Sequence, residues 1–182
     1  MALLRRTLAF AGLLVAGRGV AAQVARASEY EVKAVFLYNF AQFVDWPAEA
    51  FPASDTPLAI CVLGDDPFGD ALDQTVRDER LGGRPFQVRR YQSVDEIQAC
   101  HILFISRPQG ARPEVILASL KHRPILTVSD ADGFAERGGM IRFVTDRSRI
   151  RLQLNLAATE AAHLTISSKL LRVAEIVRRT GS

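Results

Sequence analysis

The chain has 182 residues, 48% hydrophobic and 24% charged, with 12 Gly and 8 Pro. That length suits one domain, and that composition excludes a fibrous or low-complexity protein. The formal charge of +3 is uneven: Arg5, Arg6, Arg18 and Arg26 all fall in the first 27 residues, where no acid stands, and the rest carries −1. A remainder so close to neutral argues against nucleic-acid binding through a basic face.

Residues 1–27 read as a secretory signal. Arg5 and Arg6 supply the basic start, and Leu8 to Ala16 is an apolar run of nine, too short to span a bilayer. Ala25-Arg26-Ala27 is the first candidate cleavage site and Val20-Ala21-Ala22 the second. One domain, residues 28–182, follows. Export would place Cys61 and Cys100 in an oxidising compartment. A bridge between them would close a loop of about 40 residues, worth about 4 kcal/mol in the chain-entropy account. The other reading is two buried thiols that never meet. Two Cys and the scattered His101, His122 and His163 lack the spacing of a metal site, and no cofactor is expected.

Ser28 is placed to cap a helix over Glu29 to Asp45, with Glu31 at N3 completing a capping box. Val32, Phe36, Phe40 and Phe43 form its apolar stripe, broadened by Tyr30, Leu37, Ala41 and Val44. Pro47 ends it. Tyr38 lies about 200° around the helix from Phe36, so the two should not face one core. Alternation follows. Leu58 to Leu63 is a buried strand, Phe68 to Val76 a helix, and Pro85 to Tyr91 an edge strand. Ser93 caps a short helix, Val94 to Ala99. His101 to Ser106 is a strand, Pro113 to Lys121 a helix, and Pro124 to Val128 a strand. Met140 to Val144 and Arg149 to Leu154 form a hairpin across Asp146-Arg147-Ser148. Asn155 caps a helix over Leu156 to His163, and a last helix runs from Ser168 to Arg179. This order predicts a three-layer α/β sandwich: a mostly parallel sheet, an antiparallel C-terminal hairpin, and N- and C-terminal helices packed on it. A strand order of 2-1-3-4 would make the two cysteine-bearing strands neighbours.

Signatures of catalysis are missing: no G-x-S-x-G, Walker A or H-E-x-x-H. Gly64 and Gly69 have phosphate-loop spacing, but Asp70 stands where the lysine belongs. The reading is therefore non-enzymatic. The carboxyl ends of the strands carry Asp65, Asp66, Ser106, Arg107, Ser129 and Asp130, where open α/β sheets bind ligands. Helix capping by the same residue types is the plainer account. Arg149, Arg151, Lys169 and Arg172 would put positive charge near the C-terminal helices.

Several motifs occur together and in order. They are Glu29-Tyr30-Glu31-Val32-Lys33-Ala34 running into Phe36 to Phe40, then Trp46-Pro47; Ile60 to Gly69; Cys100 to Ser106; Pro124 to Asp130; Gly138-Gly139-Met140-Ile141; and Ile166 to Leu171. The set resembles the YfiR family of bacterial periplasmic proteins, over about residues 29–177. The resemblance implies a periplasmic repressor that engages the sensor region of a membrane-bound diguanylate cyclase and lowers cyclic di-GMP. It also implies an outer-membrane-associated protein that sequesters the repressor. Cys61 and Cys100 match the family's paired cysteines. A second pair found in the well-studied branch has no counterpart here. Tyr38, Phe43 and Trp46 of the first helix and Ser167, Ser168 and Lys169 at the last helix are the candidate partner-binding residues, beside Phe36 and Phe40. Core packing is the competing role for the aromatic ones. A second copy of the chain is a further candidate partner. The alternative function is a periplasmic ligand-binding sensor for a membrane kinase or transporter, with Asp65, Asp66, Arg107, Ser129 and Asp130 around its pocket.

Overall fold

The computed structural model describes residues 17–106, 113–147 and 149–178, with side chains from Glu29 onward. The basic start and apolar run of the expected signal, Arg107, Ser148 and Arg179 lie outside the described residues. No helix among those described is long and apolar enough to cross a membrane.

The first helix, α1, spans Gly17–Phe43. It runs through Ser28, so the helix does not start there as expected. Residues 17–28 contain no Pro and are rich in Ala, so nothing stops the helix propagating backwards. At its other end the helix stops two residues early, because Val44–Asp45 forms a short strand, β1.

The central sheet uses β2 (Leu58–Leu63), β4 (Arg84–Tyr91), β5 (Ile102–Ile105) and β6 (Leu126–Ser129), all parallel. Numbered in chain order, these four strands stand as 2-1-3-4, the arrangement that makes the two cysteine-bearing strands neighbours. β7 (Ile141–Asp146) joins β6 in parallel, and β8 (Arg149–Leu154) returns antiparallel as the predicted hairpin. At the far side β3 (Arg80–Leu81) covers only Arg84 and Pro85, so β4 is otherwise an edge. Helices α2 (Asp70–Val76), α3 (Pro113–Ser119), α4 (Leu156–Ala161) and α5 (Ser168–Val173) complete the layers.

Alternation along the strands builds two cores. Ile60, Val62, Ile102, Phe104, Leu126 and Val128 pack with α1, α2 and Leu170 of α5. Ala59, Cys61, Leu63, Leu103 and Ile105 pack with Ile116 and Leu120 at α3. This is the three-layer sandwich that the alternation predicts.

Helices α2, α3 and α4 each fall two residues short of the expected bounds, and two others are cut back further. The Ser93 cap and its Glu96 partner are made, but they close only a 3-10 turn, Val94–Glu96. Ile97 turns into the α3-side core, and Arg123 takes the carbonyls of Ile97 and Gln98 at 2.8 and 3.2 Å. The last helix ends at Val173, and Ala174–Ile176 becomes strand β10, parallel to β8. β8 offers an open edge there, and the ladder continues as Val177 N–H donates to the Leu154 carbonyl at 2.9 Å. A hydrogen-bonded edge outweighs the weak helical preference of Glu-Ile-Val.

Cys61 and Cys100 are joined in a disulfide, with 6.1 Å between their Cα atoms. Cys61 lies in β2, and Cys100 lies two residues before its neighbour β5.

Candidate functional site

The buried line of α1 is Lys33, Ala34, Leu37, Phe40 and Ala41, continued by Val44 of β1. The expected stripe is thus rotated, and Val32 is 46% exposed. Phe36 and Tyr38 nevertheless both reach the sheet, from opposite flanks of the helix. Phe36 meets Phe143 of β7 at 5.8 Å, and Tyr38 meets Phe86 of β4 at 5.1 Å. The sheet is wide enough to receive both, so the expectation that one would leave this core is corrected. The Tyr38 hydroxyl donates to Glu79 at 2.8 Å. That bond, with some burial, holds the phenol above its ordinary value.

The C-terminal end of α1 is tied to the start of α5. β1 pairs antiparallel with β9 (Thr165–Ile166): Val44 faces Ile166 and Asp45 faces Thr165. Ser167 N–H donates to the Phe43 carbonyl at 2.9 Å, and the Ser167 hydroxyl accepts from Leu170 N–H to cap α5. The two-stranded clasp therefore sets the backbone of Phe43 beside that of Ser167. Ser168 and Lys169 are exposed, while Phe43, Trp46 and Ser167 are half-buried. Tyr38 stands on another flank of the helix, over β4, apart from this clasp.

Downstream of the clasp, Val173 is 69% and Ile176 49% exposed. In a helix continued through Arg179, the face turned inward would be Leu170, Leu171, Ala174 and Val177, and neither Val173 nor Ile176 belongs to it. They extend apolar surface along α5 and β10. Arg149, Arg151 and Arg172 are also exposed, and Arg151 reaches Asp146 at 3.1 Å.

The strand-end residues are engaged within the chain. Asp66 accepts from Phe68 N–H at 2.8 Å and from Arg90 at 2.6 Å. Ser106 donates to the Asp65 carbonyl. The Ser129 hydroxyl donates to the Ile105 carbonyl and accepts from Ala131 N–H. Asp130 accepts from Tyr30 and from Lys33, each at 2.7 Å. Lys33 also meets Glu29 at 2.6 Å, although its own side chain is 1% exposed. Burial alone would raise the Glu29 carboxyl; hydrogen bonds from Lys33 and Thr145, with the Lys33 charge, bring it below its ordinary value. Sequence reading missed Lys33. The signal was there: positions 37, 41 and 44 lead back to 33 by helical spacing.

A separate cleft of about 450 Å³ lies between α3 and α4, lined by Leu117, Ile125, Met140, Ala158 and Ala161 with Lys121 at its rim. Among the described residues no group of three or more His, Cys, Asp or Glu is placed to hold a metal.

A YfiR/HmsC-like family model matches residues 30–175. The chain belongs to the YfiR/HmsC-like family. No curated protein matches it. The matched span runs from the first buried turn of α1 to the middle of β10, so it includes the clasp, both cysteines and Lys33. YfiR-like proteins are periplasmic regulators rather than catalysts.

Proposed function

We propose that this YfiR-like chain is an exported, non-catalytic brake on a membrane signalling protein. Its target is the periplasmic sensor region of a diguanylate cyclase, and its effect is to lower cyclic di-GMP. Cleavage after Ala27 frees the domain, and an outer-membrane-associated protein relieves the inhibition by sequestering it. A regulator without chemistry acts by binding one state of its target more tightly than another. The docking surface is centred on Phe43 and Trp46 with Ser167, Ser168 and Lys169, and Val173 and Ile176 widen it. Tyr38 contributes by fixing the α1 flank on β4. The observation that carries this assignment is the β1–β9 clasp, which joins the two segments singled out for partner binding. Half-buried aromatic residues beside exposed polar ones match the anchor-and-rim anatomy of interfaces.

The experiment is deletion of the gene in its own organism, with cyclic di-GMP measured before and after complementation. Deletion should raise cyclic di-GMP and the wild-type chain should restore it. A chain carrying Trp46→Ala with Lys169→Glu should be exported and folded but fail to restore it. Unchanged cyclic di-GMP on deletion would overturn the proposal.

A further inference from the structure

His101 is 3% exposed and both ring nitrogens are occupied. Nδ1 accepts from the Ala59 N–H at 3.0 Å. Nε2 lies 3.0 Å from the Ala50 carbonyl, which can only accept. Together these fix one form of the ring: neutral, with its proton on Nε2. The ring also holds an aromatic stack. Phe51 lies flat on it at 4.4 Å and 13°, and Trp46 meets it edge-on at 6.1 Å and 80°. The Arg84 guanidinium sits over the Phe51 ring at 4.4 Å and donates to the carbonyls of Ala53 and Thr56. His101 thus pins the Trp46–Phe51 segment, which directly follows the clasp, onto the entry ends of β2 and β5.

We propose that His101 is a proton-operated latch on the Trp46–Phe51 segment, closed when the imidazole is neutral and released when it is protonated. The proposal rests on the reading of Trp46 as part of the docking surface, and assigns that surface a pH control. A second proton must go to Nδ1. There it replaces the lone pair that accepts from Ala59, and two N–H groups then point at one another. The new cation is also buried among like charges. Arg84 and Arg89 of β4 both act on it, and Arg123 and Glu49 line the same 300 Å³ cavity. Among the described residues lining it, Glu49 is the one carboxylate, and it is exposed. Relief comes when the ring swings out, and the stacked Phe51 and Trp46 move with it. Burial already holds the imidazole below its ordinary value; the Ala50 bond opposes that shift, and Arg84 and Arg89 add to it.

Trp46 is the only tryptophan in the chain, so its fluorescence reports the latch directly. The oxidised protein would be titrated from about pH 8 to about pH 4.5, through the histidine range. The expected result is a reversible red shift with greater acrylamide quenching, centred below about pH 6.5. It should vanish in His101→Gln. Nitrogen-15 spectra of the wild-type imidazoles should show His101 as the Nε2–H form above the step and protonated below it. This second measurement stands even where the variant fails to fold. A Trp46 signal that stays flat while His101 titrates, or a step that persists in His101→Gln, overturns the latch. Capture of the membrane sensor from solubilised membranes at both ends of the step separates the two proposals. A normal Trp46 step with no sensor captured at either pH overturns the docking surface alone. A normal step with equal capture at both pH values overturns the pH control.

Discussion

Asp130 Oδ2 receives hydrogen bonds from both Lys33 Nζ and Tyr30 OH, and Asp130 is only 7% exposed. Asp130→Ala would leave the Lys33 cation buried with Glu29 as its remaining ionic partner. Removing one member of a buried pair costs about 3–5 kcal/mol. The single variant should therefore lose about 3 kcal/mol or more in urea unfolding at neutral pH. Lys33→Met combined with Asp130→Leu should lose less than that single variant, because neither charge is left alone. A loss under about 1 kcal/mol in Asp130→Ala would show that the ion pair is not what secures α1 over the sheet. His101 adds a pH dependence of known sign. Its folded pKa is lowered, so its stabilisation is complete above about pH 6.5 and is lost as pH falls through the lowered value. Wild-type stability should therefore fall more steeply on acidification below about pH 6.5 than that of His101→Gln, measured by urea midpoints. Helical spacing from positions 37 and 41 marks Lys33 as buried, but its ion pair and the role of His101 are not legible in the sequence. A charged residue is not counted toward an apolar stripe, and the partners of His101 are backbone groups 42 and 51 residues away.

At the scale of elements, what was legible depended on local signals. Strands β2, β5 and β6 are short apolar runs, while β4 is the more polar edge that its alternation predicts. Asn155 and Ser93 cap as read, since a cap needs only its own turn. The clasp and β10 were hidden because their stabilising partners are distant: β1 lacks meaning without β9, and β10 without β8. Ser167 links both effects, because its N–H closes the clasp and its hydroxyl caps α5. Ser167→Ala removes the hydroxyl alone and keeps the backbone bond. It should cost about 1 kcal/mol in denaturant unfolding. Amide exchange should quicken at Leu170 and leave the β1–β9 pairing protected. Exchange quickening equally in β9 would mean that the cap and the clasp open as one unit.

Considered as a whole, the molecule separates its covalent tie from its proposed docking surface by the thickness of the sheet. The Cys61–Cys100 bridge belongs to the core on the α3 side, while α1, Val44, Ile166 and Leu170 belong to the core on the opposite side. Sequence alone pointed to the bridge through export and neighbouring strands, but not to the face it occupies. That face decides what reduction should do. The bridge closes a 39-residue separation, and its loss should cost about 4 kcal/mol by releasing the unfolded chain. The parallel pairing of β2 with β4 and β5 involves only backbone groups and does not need the bridge. Nor do the two hydrogen bonds that hold His101, which reach Ala59 and Ala50. Cys61→Ala with Cys100→Ala should therefore unfold at markedly lower denaturant than the oxidised chain, with an unchanged far-ultraviolet dichroism spectrum in buffer. Its Trp46 emission at neutral pH should match that of the oxidised chain. The bridge then sets how long the fold survives, and the opposite face keeps its shape in either redox state. A shifted Trp46 emission in the folded double variant would instead show that the bridge holds the latch in place, and would make the docking surface redox-sensitive.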